Sequence, residues 1–126
     1  MNPKDILKKY YHFAVVGVSQ NKEKYGYKIY ARLKDRGYDV YGVSPLYSSI
    51  DNDKLYPCLE SIPSPLDCVV FVCAKEHVYH YIDEMSGIGI RYAWLQPHTY
   101  DDELLEYIRE QGITPILACV LVETGL

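Results

Sequence analysis

The sequence predicts a single α/β domain over residues 1–126, built on a five-stranded parallel sheet of order 3-2-1-4-5 with helices on both faces. Three observations lead there. Apolar runs of strand length alternate with segments of helical period along the chain. The strongest run, Leu66-Asp-Cys-Val-Val-Phe-Val-Cys73, is apolar at both alternating sets of positions, as a strand covered on both faces must be. The opening run, Phe13 to Val18, is broken at Gly17 and passes through the polar turn Ser19-Gln-Asn-Lys-Glu-Lys-Tyr-Gly26 into a helical segment. Right-handed crossovers then place successive helices on the two sides of the sheet.

Each element has its own signal. Asn2 caps a short helix over Pro3 to Tyr10, with proline at the first helical position and Asp5 in the first turn. The first strand follows. A helix from about Tyr25 to Arg36 sets Ile29, Tyr30, Leu33 and Tyr25 at helical spacing and stops at Gly37. Asp39-Val-Tyr-Gly-Val43 is the second strand, ending in Ser44-Pro45. Residues 46–64 carry Pro57 and Pro63 with little period, and read as an excursion holding one short turn or helix. Beyond the Leu66–Cys73 strand, a helix over Glu76 to Met85 ends before Gly87, and Tyr92-Ala-Trp-Leu95 forms the fourth strand. The acid-started helix from Asp101 to Gln111 ends at Gly112, and Thr114 to Ala118 completes the sheet.

Composition narrows the function classes. A formal charge of −4 without a basic run disfavours nucleic acid as a partner, because phosphate neutralisation needs clustered Lys and Arg. No apolar run approaches the roughly 20 residues of a membrane span, and the start has no basic head followed by an apolar stretch. Cys58, Cys68, Cys73 and Cys119 form no Cys-x-x-Cys pair, so a reduced, cytoplasmic protein is expected. The fourteen tyrosines read as amphipathic side chains at half-buried positions and interfaces, and a homodimer fits such a surface.

In the predicted topology the strand order reverses beside the first strand, and a ligand crevice opens at the carboxyl ends there. Gly17 to Asn21, Ser44-Pro45, Cys73-Ala-Lys75, Gln96-Pro-His98 and Cys119 all converge on it. Main-chain amides, the Ser19 hydroxyl and the Lys24 ammonium at a helix amino end make an anion site. The alternative is that Gly17 only permits close packing while Lys22 and Lys24 are solvated. A dinucleotide fold for NAD usually keeps an acid at the end of the second strand for the ribose hydroxyl, and Ser44 stands there instead. That points away from NAD and toward a ligand with more phosphate.

His98 is a titratable ring at the rim without an evident catalytic partner. His77 and His80, three apart on a helix, lack a third metal ligand. Cys119 is either a structural thiol or, with a lowered pKa, a partner for a ligand thiol. No catalytic set and no metal site emerge.

Val15-Val-Gly-Val-Ser19, Asn21, Lys24-Tyr-Gly26, Leu33 and Gly37-Tyr-Asp-Val-Tyr-Gly-Val-Ser-Pro45, followed by Tyr56-Pro57, Ile62-Pro63, Asp67, Ala74-Lys-Glu76, Trp94-Leu-Gln-Pro97 and Cys119, resemble the small stand-alone CoA-binding domain family. That family is similar to the Rossmann-like CoA-binding domain of succinyl-CoA synthetase and of ADP-forming acyl-CoA synthetases. The resemblance implies binding of CoA or an acyl-CoA through its ADP-like end, without catalysis by this chain, in a carrier, sensor or regulatory role beside a synthetase-like partner. Gly17, Val18 and Ser19 would take the diphosphate, with Lys24 as a nearby cation. Val43, Ser44 and Pro45 would border the adenosine, while Ala74 and Lys75 close the opposite side, Lys75 either reaching a phosphate or remaining solvated. The chain departs from the family pattern at three of these places: Ser44 for the usual Asn, Lys75 for Pro, and His98 for Gly after the Gln-Pro pair. An NADP-binding enzyme or redox sensor, and an interaction module with a vestigial pocket, are the alternatives.

Overall fold

A computed structural model describes residues 2–125. The elements in chain order are α1 (Pro3–Lys9), β1 (His12–Val16), α2 (Tyr25–Asp35), β2 (Asp39–Val43), β3 (Ser49–Ile50), β4 (Asp53–Tyr56), β5 (Cys68–Phe71), α3 (Val78–Ile88), β6 (Tyr92–Leu95), α4 (Asp102–Glu110), β7 (Thr114–Leu117) and α5 (Val120–Glu123), with single 3₁₀ turns at Leu59–Ser61 and Lys75–His77. They form one seven-stranded sheet of order β3-β4-β2-β1-β5-β6-β7, parallel throughout except for the antiparallel β3–β4 pair.

Two expectations are corrected. The sheet has seven strands rather than five, because the stretch read as an excursion contains the β3–β4 hairpin. Its turn is Asp51-Asn52, both left-handed at φ 47° and 70°, the geometry of a tight hairpin turn that Asp and Asn tolerate. Only Ile50 and Leu55 of this hairpin are buried, so it lacked an apolar signature. The order differs as well. β4 takes the place beside β2, and the strand expected there, β5, pairs with the other side of β1. The five expected strands therefore stand in order 2-1-3-4-5. Both orders reverse at β1, so the crevice keeps its position.

The alternation of side chains along each strand builds two cores. Phe13, Val15, Cys68, Val70 and Trp94 face one side with Ile6 of α1, Ile29 and Leu33 of α2, and Val120 of α5. Ala14, Val16, Val69, Phe71, Ala93 and Leu95 face the other with Val78, Ile82 and Met85 of α3 and Leu104 and Ile108 of α4. Helix ends follow the sequence signals: the Asn2 side chain accepts the Asp5 N–H at 2.9 Å, and Asp101 accepts that of Leu104 at 2.9 Å. α3 runs through Gly87 and stops two residues later at Gly89, which is left-handed at φ 80°. Tyr25, expected on the apolar stripe of α2, is 62 % exposed, and Gly26 is the buried residue there. Several tyrosines are amphipathic clasps: the hydroxyls of Tyr27 and Tyr30 donate to Asp51 and Asp53, fastening the hairpin to α2. No helix among the described residues is long and apolar enough to cross a membrane.

Candidate functional site

The carboxyl ends of β1, β2, β5, β6 and β7 surround one cleft of about 1160 Å³, a volume suited to a large ligand. Its first wall is set by two glycines. Gly17 has φ +103°, and a Cβ there would stand 3.0 Å from the Cys73 nitrogen. A Cβ on Gly26 would meet the Gly17 carbonyl oxygen at 2.1 Å, so only glycine lets the first turn of α2 press against the end of β1. The sequence signal of this wall, Gly17 to Gly26, is thus a packing requirement that also shapes the site.

The loop between them is a nested turn. The Ser19 hydroxyl accepts the Asn21 N–H at 3.0 Å, Asn21 Oδ1 accepts the Glu23 N–H at 3.0 Å, and the Asn21 carbonyl accepts the Lys24 N–H at 3.0 Å. These bonds use the amides of Asn21, Glu23 and Lys24. The Gly17 N–H is used too, donating to the Val43 carbonyl at 3.1 Å, so Gly17 offers conformation and not a donor. By contrast, the amides of Val18, Ser19, Tyr25 and Gly26 have no acceptor among the described residues, and Lys24, at the N-cap, makes no side-chain capping bond. All of these residues line the cleft. Val18 is only 3 % exposed, and a buried amide without an acceptor calls for a ligand or water. The uncapped amino end of α2, with Lys24 beside it, is an anion-binding arrangement.

The opposite walls are less charged. Ser44 is buried at the end of β2, donates its N–H to the Tyr56 carbonyl, and accepts the amides of Leu46 and Tyr47 at 3.1 and 3.2 Å. Pro45, Leu46 and Tyr47 continue this wall, and Leu46 is 81 % exposed. Beyond β5 come Cys73, Ala74, His77, His80 and Tyr81. Burial pushes the Cys73 thiol up to about 11. At the ends of β6 and β7 stand Gln96, Pro97, His98, Thr99 and Cys119. His98 holds φ +71°, a left-handed conformation that is costly for a residue with a Cβ.

Seven of the nine residues expected to bind the cofactor line this cleft: Gly17, Val18, Ser19, Lys24, Ser44, Pro45 and Ala74. Val43 is fully buried behind it and contributes its carbonyl to Gly17. Lys75 is not among the lining residues: its ammonium lies 3.0 Å from Asp101. That carboxylate is held below its usual range first by the Leu104 N–H and then by Lys75. Leu46, Tyr47, His77, His80 and Tyr81 were missed as wall residues. The first two lie in the unperiodic excursion, and no local pattern announces which face of α3 meets a cleft. His77 and His80 share the cleft, but no group of three potential metal ligands occurs among the described residues.

Comparison with known proteins follows the same lines. A family model described as a CoA binding domain matches residues 11–125. The chain is 25 % identical over 120 residues to the uncharacterized protein YneT of Bacillus subtilis, covering 94 % of this chain and 89 % of that one. It is 29 % identical over 79 residues to the alpha subunit of the ADP-forming acetate–CoA ligase II of Pyrococcus furiosus, covering 62 % of this chain and only 17 % of the ligase subunit. Among solved structures, a hypothetical protein from Pyrococcus horikoshii OT3 superposes with a TM-score of 0.89 at 28 % identity, covering 95 % of this chain and 85 % of that one. An acetyl-coenzyme A synthetase of Ca. Korarchaeum cryptofilum shares the fold, with a TM-score of 0.76 at 24 % identity over 91 % of this chain and 27 % of the synthetase.

Proposed function

Because the chain belongs to the CoA-binding domain family, we propose that its cleft holds CoA or an acyl-CoA by the ADP-like end, with the diphosphate at the amino end of α2. One observation carries this reading: the amides of Val18, Ser19, Tyr25 and Gly26 lack acceptors in a wall that also bears Lys24. A diphosphate supplies those acceptors, and its charge suits both the helix end and the ammonium. Ser44 at the end of β2 puts no negative charge beside a phosphorylated ribose. An NADP reading needs Lys75 or another cation at the ribose phosphate, and the Lys75 ammonium is engaged by Asp101.

The role is reversible binding by a carrier or sensor rather than turnover. The two serine hydroxyls of the cleft, Ser19 and Ser44, are both occupied as acceptors of main-chain amides, which suits a structural part better than a nucleophile's. Calorimetry with CoA, acetyl-CoA, NADP, NAD and ADP tests the reading. CoA and acetyl-CoA are expected to bind, with ADP weaker and NAD and NADP weaker still. Lys24→Glu is expected to lower CoA affinity at least tenfold without changing the unfolding midpoint. Preferential binding of NADP, or CoA affinity untouched in Lys24→Glu, overturns it.

A further inference from the structure

Cys119 and Gln96 together give the far end of the cleft a chemistry that simple nucleotide binding does not need. Of the four cysteines, Cys73 and Cys119 line the cleft. Both are partly exposed; partial burial raises the Cys73 thiol and favours its protonated form, and Cys119 stands at the carboxyl end of β7. Gln96, at the end of β6, is 95 % buried, being only 5 % exposed. Its Oε1 accepts the Val120 N–H at 2.7 Å, which fixes the orientation of the carboxamide and ties it to the residue after Cys119. Its Nε2 then has two donors and no acceptor among the described residues, in a side chain that lines the cleft. No fully buried side-chain nitrogen or oxygen among the described residues lacks a partner, so this amide opens onto the cleft, where a ligand carbonyl can accept from it.

Distance decides which part of the ligand arrives there. From β1 to β7 is three strand spacings, about 14 Å, and from β1 to β6 two spacings, about 10 Å. The pantetheine arm from diphosphate to sulfur is a chain of about twelve bonds, as long as about four extended residues, or roughly 14 Å. An arm of that length, laid along the strand ends from β1, would bring its second amide carbonyl near Gln96 and its sulfur near Cys119. We propose, building on the CoA reading above, that Cys119 captures the sulfur of the bound cofactor as a reversible mixed disulfide, with Gln96 positioning the arm.

The step is thiol–disulfide exchange with an oxidised cofactor, a disulfide of CoA. The Cys119 thiolate attacks one sulfur of that disulfide, the protein–CoA S–S bond forms as the original S–S bond breaks, and the departing CoA thiolate takes up a proton. The disulfide is the oxidant, so no other redox partner is needed. A low-molecular-weight thiol reverses the reaction.

Intact-mass spectrometry of the wild-type protein treated with CoA disulfide tests the proposal. The expected result is one CoA adduct per chain, removed by dithiothreitol and mapped to Cys119 by peptide digestion. It forms at least tenfold faster than the adduct from glutathione disulfide, and excess ADP slows it. Gln96→Glu keeps the acceptor for the Val120 amide but removes the donor pair, and is expected to slow capture at least fivefold. Modification at Cys73 or Cys58, equal rates with glutathione disulfide, or no effect of ADP overturns the proposal. Calorimetry of the wild type with CoA under reducing conditions reads the non-covalent site separately. Binding there without an adduct overturns the capture alone, and no binding overturns the CoA reading with it.

Discussion

Replacing Gly26 by alanine is the sharpest perturbation of the wall that makes the site. The new Cβ would lie 2.1 Å from the Gly17 carbonyl oxygen, where ordinary contact begins at 3.4 Å, so the first turn of α2 must withdraw from β1 by more than an ångström. The obstacle is main chain and has no rotamer to yield, which places the cost at the upper end of overpacking, about 3 kcal/mol. Alanine's better helix propensity returns at most about 1 kcal/mol. A net loss of about 2 kcal/mol follows, lowering the midpoint by roughly 8 °C in a domain of this size. The withdrawal also displaces the unpaired amides of Tyr25 and Gly26, so CoA affinity should fall in parallel. Urea unfolding and calorimetry on one preparation read both effects. Gly87→Ala is the internal control: that glycine is inside α3, its Cβ would meet nothing within 4 Å, and about 0.5–1 kcal/mol of added stability is expected. Gly26→Ala that is as stable as the wild type and binds CoA equally well would refute the packing argument.

Other perturbations read other parts of the site. Lys75→Ala should leave CoA affinity within about twofold by calorimetry, because the ammonium is committed to Asp101 outside the cleft wall. A tenfold loss would put Lys75 back among the ligand contacts. Ser44→Asp keeps an acceptor for the Leu46 and Tyr47 amides yet brings a carboxylate to the end of β2, and should weaken CoA at least tenfold, about 1.4 kcal/mol, with ADP less affected. Asp101 has a pKa held below its ordinary value by the Leu104 amide and Lys75, so its contribution to stability is present above about pH 4 and disappears as pH falls through the lower, folded-state value. Asp101→Asn retains the cap but cannot titrate, and should flatten the acid limb of the stability–pH curve measured by urea unfolding.

The sequence carried strong periods where burial is two-sided or helical, and there it was legible. The alternation of Phe13, Val15 against Ala14, Val16 marks both faces of β1, and the Asp101 and Gly112 signals bracket α4. The hairpin was hidden because its strands bury only Ile50 and Leu55, and because an Asp-Asn turn is a weaker sign than Asn-Gly. Missing it also misordered the sheet, since β4 occupies the place beside β2 assigned to β5. α5 escaped because four residues carry no period. Within the site, Gly17, Ser19 and Lys24 were readable from one contiguous stretch. The engagement of Lys75 by Asp101 was not, because it joins residues twenty-six positions apart across two loops. The same holds for Gln96, whose importance rests on a bond to the Val120 amide that no spacing announces.

A crystal structure of the protein with CoA tests the central claim most directly. The account predicts the diphosphate oxygens within hydrogen-bond distance of the amides of Val18, Ser19, Tyr25 or Gly26, with the Lys24 ammonium alongside. A cofactor lodged on another face, or bound in the cleft with those amides left to water, would contradict it.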